Sequence, residues 1–123
     1  MADSINEITK KADKLRKDRD WQKFHSLRNL AVALNKEASE LLEKFQWNDD
    51  GSLTKKETKE LHDELADVFI NSLFLSMELD VDLLKITNEK LTKIDKKYPV
   101  DKVKGISGRD MHESGKIVKQ INL

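Results

Sequence analysis

The fold class follows from residues 64–79, which read ELADVFINSLFLSMEL. From Leu65 onward the apolar side chains fall on every face of a helix rather than on one stripe. A helix that is apolar all round is buried all round. Because a chain of 123 residues has little material to cover such a helix, we expect an all-α protein in which a second subunit completes the burial.

Outward from this segment, the chain reads as four helices. Thr54 with Glu57 three residues later has the form of a capping box, which begins the helix that contains the apolar segment. Ser26 and Asp82 are of the residue types that cap the helices before and after it, and Pro99 ends the last one. The expected helices cover roughly residues 3–18, 27–47, 55–79 and 83–98, whereas residues 99–123 show no helical period.

The overall composition narrows the class of protein. Basic and acidic residues number 23 each, so no bulk field recruits nucleic acid or an anionic membrane. The absence of cysteine removes disulfides, thiolate metal sites and cysteine nucleophiles. The N-terminus is polar and acidic, and no apolar run approaches about 18 residues. We therefore expect a cytoplasmic protein whose partners are neither a nucleic-acid polymer nor a membrane.

Four carboxylates form two pairs with helical spacing. Glu37 and Glu40 are three residues apart in the second helix, and Glu64 and Asp67 are three residues apart in the third. Each pair therefore lies on one helix face. Residues 48–52, Asn-Asp-Asp-Gly-Ser, form a short turn-rich break between the two helices. An antiparallel hairpin folded about position 52 would place Glu40 opposite Glu64 and Glu37 opposite Asp67.

A cation explains this arrangement, because four carboxylates at one level repel one another without one. Asp67 is the hardest to explain otherwise: it lies in the apolar part of its helix, with no Lys or Arg three or four residues away. Taken singly, the other three acids are more simply explained as surface charges that pair with lysines, and it is the matched set of four that favours a cation. Oxygen ligands favour Mg²⁺, and the Glu-x-x-His motif of a ferritin-like di-iron site is absent. The predicted Mg²⁺ ligands are Glu37, Glu40, Glu64 and Asp67.

Three segments resemble the all-α nucleotide pyrophosphatases of the MazG-like superfamily. They are residues 19–30 (RDWQKFHSLRNL), 37–47 (EASELLEKFQW) and 64–68 (ELADV). The pairing of Glu-x-x-Glu with Glu-x-x-Asp becomes strongly specific once the Trp-x-x-x-His and Phe-Gln-Trp elements accompany it. Within the superfamily the chain is most similar to the single-domain dCTP pyrophosphatase branch. The resemblance implies a four-helix MazG-like domain over residues 1–104, followed by an irregular C-terminal tail over residues 105–123.

The resemblance also implies a reaction, the hydrolysis of a nucleoside triphosphate to the monophosphate and pyrophosphate. Mg²⁺ held by the four acids, as one ion or two, would clamp the triphosphate while water attacks the α-phosphorus. The general base is left open between Glu37 and Glu40. The assembly implied is an intertwined homodimer or dimer of dimers, with sites built across a subunit boundary. The expected role is cleansing of the nucleotide pool, with dCTP or a related dNTP as substrate.

Three residues match positions near the nucleobase in this branch, namely Trp21, His25 and Trp47. Aromatic faces stack on any base, at about 1–3 kcal/mol each, but tryptophans also serve as core or interface anchors and a histidine as a structural group. Residues 90–104 carry six lysines against two aspartates, which form either a solvated helix face or a phosphate-facing rim. The further substrate contacts implied are Asn71, Lys97, Tyr98, Lys102 and Lys104.

Two departures from the family pattern leave the preferred base open. Asn71 stands where the animal dCTP enzymes tend to have tyrosine, and Ile94 stands where an asparagine is usual before the Lys-Tyr-Pro run. A related pyrophosphohydrolase that acts on dUTP or phosphoribosyl-ATP would keep the chemistry and change the base pocket. The rival from another class is a non-catalytic helical interaction protein, which predicts no effect of Mg²⁺ on the melting temperature.

Overall fold

The computed structural model describes residues 4–47 and 51–106, and these residues are helical with no strand among them. The helices are α1 (Ile5–Asp18), α2 (Leu27–Glu43), α3 (Lys55–Glu78), α4 (Leu83–Lys97) and the single turn α5 (Val100–Val103), with a 3₁₀ turn (Gln22–Phe24) between α1 and α2. The prediction of an all-α fold with four long helices is confirmed.

Capping side chains set where the helices begin. Thr54 and Glu57 form the predicted capping box of α3, in which the Thr54 hydroxyl accepts the Glu57 backbone N–H at 3.1 Å. Ser26 and Asp82 cap α2 and α4 through their side-chain oxygens, as predicted. Ser4 begins α1 with a second capping box. Each cap stabilises its helix by about 1 kcal/mol.

The end of α2 is a correction to the sequence-based prediction. The apolar pattern predicts a helix that reaches Trp47, but α2 stops at Glu43. Beyond it, the backbone N–H groups donate to carbonyls three residues back, at 3.0 Å from Phe45 to Leu42 and 3.2 Å from Gln46 to Glu43. This is the tighter geometry of a 3₁₀ turn. Phe45 continues the apolar stripe although the backbone has already left the α-helix.

The segment after Pro99 is a second correction, since the sequence predicts no regular structure there. The Pro99 carbonyl accepts the N–H groups of Lys102 and Val103 at 2.9 and 3.2 Å, which closes α5. A single turn is too short to produce a readable period. The predicted turn at residues 48–50 and the predicted tail from residue 107 onward lie outside the described residues.

The chain divides into two compact units, Met1–Val81 and Asp82–Leu123. In the first, α2 and α3 pack as the predicted hairpin and α1 packs on α3. The core is small, because Leu30, Leu73 and Phe74 are the only buried hydrophobic side chains in the described part of the chain. The second unit contains α4 and α5. The division predicted at residue 104 stays a prediction.

Burial of α3 within the chain covers one side of the helix. Leu73 and Phe74 are buried, whereas Leu65 is 59% exposed and Phe69 and Ile70 are also exposed. A single chain therefore does not bury α3 on all sides, as the sequence predicts. Apolar surface remains on this helix. Over residues 4–47 and 51–106, no helix is both long enough and apolar enough to cross a membrane.

Candidate functional site

Helices α2 and α3 bring three of the predicted acids together. One carboxylate oxygen from each of Glu37, Glu40 and Glu64 lies within 4.8 Å of the other two, and all three side chains are half-buried. Glu37 and Glu40 share a face of α2 because they are one turn apart. The antiparallel packing of α3 on α2 places Glu64 beside Glu40, as the hairpin register predicts. We call these three residues the carboxylate cluster.

The carboxylate cluster is acidic, and the described residues leave two of its three members without a cationic partner. Oε2 of Glu37 and Oε2 of Glu64 are buried without a hydrogen-bond partner. In the described part of the chain no cationic side chain lies within ion-pair distance of either residue, and the Lys36 ammonium is 3.8 Å from Glu40. A buried oxygen without a partner costs free energy. Surface acids paired with lysines therefore do not describe Glu37 and Glu64.

Burial and mutual repulsion raise the pKa of two of these acids. For Glu37 burial is the main cause of the raised pKa, followed by the adjacent Glu40 and the charges of Asp67 and Glu64. The pKa of Glu64 is also raised, first by burial and then by Glu40 and Asp67, against the opposing charge of Lys44. The folded chain thus disfavours its own carboxylate charges at this point, and a bound cation would reverse that preference.

Asp67 lies near the carboxylate cluster but outside its tightest set. Its charge acts on both Glu37 and Glu64, yet its oxygens are not among those within 4.8 Å of one another. Its side chain is half-buried rather than enclosed by apolar groups. The Asp67 backbone carbonyl accepts the Asn71 side-chain amide at 2.9 Å, which ties Asn71 to the same turn. The role of Asp67 as a fourth ligand stays a prediction.

The donor set of the carboxylate cluster fits a hard divalent cation. Three carboxylates converge from two helices, and two of them present a buried oxygen without a partner. No histidine or cysteine belongs to the set. Oxygen donors of this kind suit Mg²⁺, Mn²⁺ or Ca²⁺ better than Zn²⁺. The carboxylate cluster could therefore hold a divalent metal ion.

A second group of charges lies where α1, the 3₁₀ turn and the end of α3 meet. Arg16 is buried, and it donates through Nε to Asp13 at 2.8 Å and through Nη1 to Glu78 at 2.7 Å. The same Nη1 lies 3.3 Å from Nδ1 of His25. The Phe74 ring lies 4.9 Å from the His25 ring and 5.7 Å from the Arg16 guanidinium, measured to ring centroids. We call Asp13, Arg16, His25 and Glu78 the arginine cluster.

The arginine cluster places one predicted site residue, His25, and adds three that the sequence-based reasoning missed. A signal was available, because Arg16 stands four residues after Ala12 on the apolar stripe of α1. A charge at such a position indicates a buried partner. Asp13, three residues before Arg16, was readable as a partner, whereas Glu78 was not, because it reaches Arg16 only through the packing of α1 on α3.

The two predicted tryptophans are both on the surface of the chain. Trp21 is 45% exposed and Trp47 is 89% exposed, so neither is a core residue. The Arg19 guanidinium lies 5.6 Å from the Trp21 ring. Stacking on a base and contact with another subunit both remain compatible with this exposure.

The remaining predicted substrate contacts belong to the second unit. Lys97 ends α4, and its ammonium lies 5.9 Å from the ring of Tyr98. Lys102 is in α5, and Lys104 follows it directly. Their contact with a substrate stays a prediction.

Several known proteins are similar to this chain in sequence or in structure. The dCTP pyrophosphatase 1 proteins of Rattus norvegicus and Homo sapiens are each 38% identical to the chain, over 72% and 67% of it, but only over 55% and 51% of their own lengths. The chain thus spans about half the length of the curated relatives it matches. A pyrophosphatase from Archaeoglobus fulgidus, solved by crystallography, is 31% identical with a TM-score of 0.66, covering 80% of this chain and 95% of that one.

The model of the MazG-like family matches residues 32–109. These residues make up more than half of the chain and include the whole carboxylate cluster, and the chain therefore belongs to the MazG-like family.

Proposed function

We propose that this chain is a Mg²⁺-dependent pyrophosphohydrolase that cleaves a dNTP, dCTP or a related nucleotide, to the monophosphate and pyrophosphate. The observation that carries the proposal is the carboxylate cluster, with its two buried and unpartnered oxygens on facing helices. The similar proteins supply the substrate class, because those named above are dCTP pyrophosphatases and a pyrophosphatase. A role in cleansing the dNTP pool of the cytoplasm belongs to the same proposal.

The charge of the carboxylate cluster explains why a cation must accompany the substrate. A triphosphate is an anion, so unneutralised acids would repel it. Glu37, Glu40 and Glu64 would supply the metal ligands, with Asp67 as the proposed fourth. When bound, Mg²⁺ would neutralise the charge that develops on the phosphate oxygens as pyrophosphate leaves.

The proton of the attacking water needs an acceptor, and Glu37 is the better placed of the two acids named from the sequence. Its Oε2 has no hydrogen-bond partner, whereas the carboxylate of Glu40 has the Lys36 ammonium nearby. A general base must keep a lone pair available for the proton that it takes. The proposal therefore assigns general-base catalysis to Glu37.

The base end of the substrate is proposed to lie near the 3₁₀ turn, against Trp21 and His25. His25 packs on Phe74, which is ten residues beyond Glu64 on α3 and hence about 15 Å along the helix axis. An extended nucleoside triphosphate spans a separation of this order. The other proposed substrate contacts are Trp47, Asn71, Lys97, Tyr98, Lys102 and Lys104.

The assembly proposed is a homodimer or homotetramer. Its support is the exposed apolar surface of the α2–α3 hairpin, where Val32, Leu42 and Leu65 are each more than half exposed. Large apolar side chains left in water on both helices of the hairpin are groups that a second copy of the chain could bury. Sedimentation of the purified chain, with and without Mg²⁺, tests this part separately.

The test of the reaction is product analysis in ¹⁸O-labelled water. The purified chain is incubated with each of the four dNTPs, dUTP or phosphoribosyl-ATP, in Mg²⁺ or in EDTA. We expect monophosphate and pyrophosphate in equal amounts, only with Mg²⁺, and the label in the monophosphate because water attacks the α-phosphorus. Release of orthophosphate, label in pyrophosphate, or no turnover of any substrate would contradict the proposal.

A further inference from the structure

The arginine cluster restricts the hydrogen-bonding role of His25. A guanidinium has donors and no acceptor, so the 3.3 Å contact between Arg16 Nη1 and His25 Nδ1 requires Nδ1 to accept. In a neutral imidazole the proton must then lie on Nε2. Within residues 4–47 and 51–106, no group forms a hydrogen bond with Nε2. The Nε2–H group of His25 is therefore a hydrogen-bond donor that remains available to a ligand or to water.

The surroundings of His25 keep the ring neutral. The groups that face it are Arg16 from α1 and Glu78 and Phe74 from α3. Burial lowers the pKa of His25 first and the Arg16 charge lowers it further, while Glu78 acts in the opposite direction. A neutral ring near pH 7 is a donor without a charge.

We propose that Arg16 is a positioning residue, which holds His25 as a neutral Nε2–H donor for an uncharged acceptor on the nucleotide. A carbonyl oxygen of a pyrimidine base is such an acceptor. The inference rests on the proposed function, because it takes a nucleotide as the ligand. Its new content is the role of Arg16 and the kind of atom that His25 recognises.

The charge balance at the arginine cluster favours a base over a phosphate. The two cations Arg16 and Lys17 are matched by the two anions Asp13 and Glu78, which pair with them directly. These four groups leave no surplus positive charge among themselves to attract a phosphate. Phosphate-binding sites in proteins instead offer an uncompensated cation or several aligned N–H groups.

The choice of arginine at position 16 fits this role. Its planar group reaches three acceptors at once, on Asp13, Glu78 and His25. A lysine ammonium is a point charge on a flexible stem and does not reproduce the fixed fork. Asp13 and Glu78 fix the guanidinium of Arg16, and the guanidinium in turn orients the imidazole of His25.

The first test measures the tautomer of His25 by NMR in the full chain without nucleotide. Long-range ¹H–¹⁵N spectra show the rings of the three histidines, and His25→Gln assigns the signal. We expect the Nε2–H tautomer in the wild type. Arg16→Met should give a mixture of tautomers and raise the pKa of His25. The matched control Glu78→Gln keeps the acceptor for Arg16 and removes the anion, so it should keep the tautomer and lower that pKa.

These opposite signs separate positioning from a merely structural role. An unchanged tautomer in Arg16→Met, or pKa changes of the same sign in both variants, would overturn the inference. If Arg16→Met does not fold, Arg16→Lys replaces it, since it keeps the charge and loses the fork. The tautomer mixture is expected there as well, and its absence counts against the inference in the same way.

The second test compares a probe that carries a base with one that does not, by calorimetry in Mg²⁺. Arg16→Met should weaken binding of dCMP about tenfold, as expected for one hydrogen bond, and leave binding of inorganic pyrophosphate unchanged. Equal weakening of both probes, or unchanged binding of dCMP, would overturn the role of Arg16 while the proposed function stands. A wild-type chain that binds neither probe would overturn the proposed function together with this inference.

Discussion

Helix α3 contributes one glutamate to each of two groups of charge, and these groups differ in whether the chain compensates them. In the arginine cluster, near Glu78, every charged group has a partner of opposite sign within 2.8 Å. In the carboxylate cluster, around Glu64, like charges converge and two buried oxygens have no partner. The same helix and the same type of side chain thus yield a satisfied site and an unsatisfied one.

The difference teaches how to separate charges that the folded chain compensates by itself from charges that need a ligand. A satisfied cluster can stabilise the fold by itself, because its Coulomb attraction offsets the loss of hydration. An unsatisfied cluster costs free energy in the free protein and persists only where a ligand compensates it. The direction of the pKa changes agrees, since the pKa of Asp13 is lowered by its hydrogen bonds with Lys17 and Arg16, whereas the pKa of Glu37 is raised.

Neutralising a member of the carboxylate cluster has the largest expected effect. Glu64→Gln should reduce turnover roughly 10³-fold, because a metal ligand and its charge are lost where transition-state charge develops. Steady-state kinetics measure the loss, and circular dichroism should show unchanged helix content. Glu43→Gln, an exposed acid at the end of α2, is the matched control with wild-type turnover. Comparable activity in Glu64→Gln and Glu43→Gln would remove Glu64 from the site.

Binding of Mg²⁺ should raise the stability of the folded chain, and this gain should depend on the carboxylate cluster. At a Mg²⁺ concentration of about 100 times Kd, the free energy of unfolding should rise by about 2.7 kcal/mol through mass action. The double variant Glu37→Gln/Glu64→Gln should lose this response. Thermal unfolding in Mg²⁺, in EDTA and in NaCl of equal ionic strength measures it. A response that persists in the double variant would place the metal elsewhere.

Removing the cation of the arginine cluster should destabilise the fold by about 2 kcal/mol. Arg16→Met leaves Glu78 without its partner and Asp13 with Lys17 alone, and the two carboxylates, 32% and 28% exposed, are only partly rehydrated. Lys14→Met breaks an exposed pair with Asp18 and should cost less than about 0.5 kcal/mol. Urea unfolding in EDTA compares the two. Equal losses would show that burial gives Arg16 no special weight.

The smallest expected effect is on the pH dependence of stability, which should change in opposite directions when Glu37 or Glu60 is replaced by glutamine. The folded chain raises the pKa of Glu37 above its ordinary value of 4.5, so the protonated form is favoured on folding. This contribution is complete below the unfolded pKa and is lost as pH rises through the folded pKa. In EDTA, Glu37→Gln should therefore gain stability relative to the wild type as pH rises from about 4 to 7.

Glu60 on α3 is the control for this change of stability with pH, because its hydrogen bond with Lys44 lowers its pKa. Its contribution is present above the unfolded pKa and lost as pH falls through the folded pKa. Glu60→Gln should therefore lose stability relative to the wild type over the same rise in pH. Melting temperatures are measured for both variants and the wild type across this pH range. Slopes of the same sign would contradict the raised pKa that burial and the neighbouring acids give Glu37.

Local signals in the sequence predicted much of the fold and the heart of the candidate site. Thr54 and Ser26 cap α3 and α2 as predicted, because a cap depends on residues within one turn. The meeting of Glu40 with Glu64 followed from helix spacing and a short connection. The end of α2 was wrong, since Phe45 extends the apolar pattern beyond the helical backbone.

The sequence alone was sufficient for the all-α class, the helix starts, the hairpin and three of the four acids predicted to converge. These depend on periodicity and on neighbours within a few residues, which any chain displays in its order of side chains. Tertiary packing settled which charges are compensated. It joined Arg16 to Glu78 across the sequence, and it left oxygens of Glu37 and Glu64 without a partner. Compensation depends on distance and dielectric between groups that only folding brings together, and so the contrast between the two clusters appears in three dimensions alone.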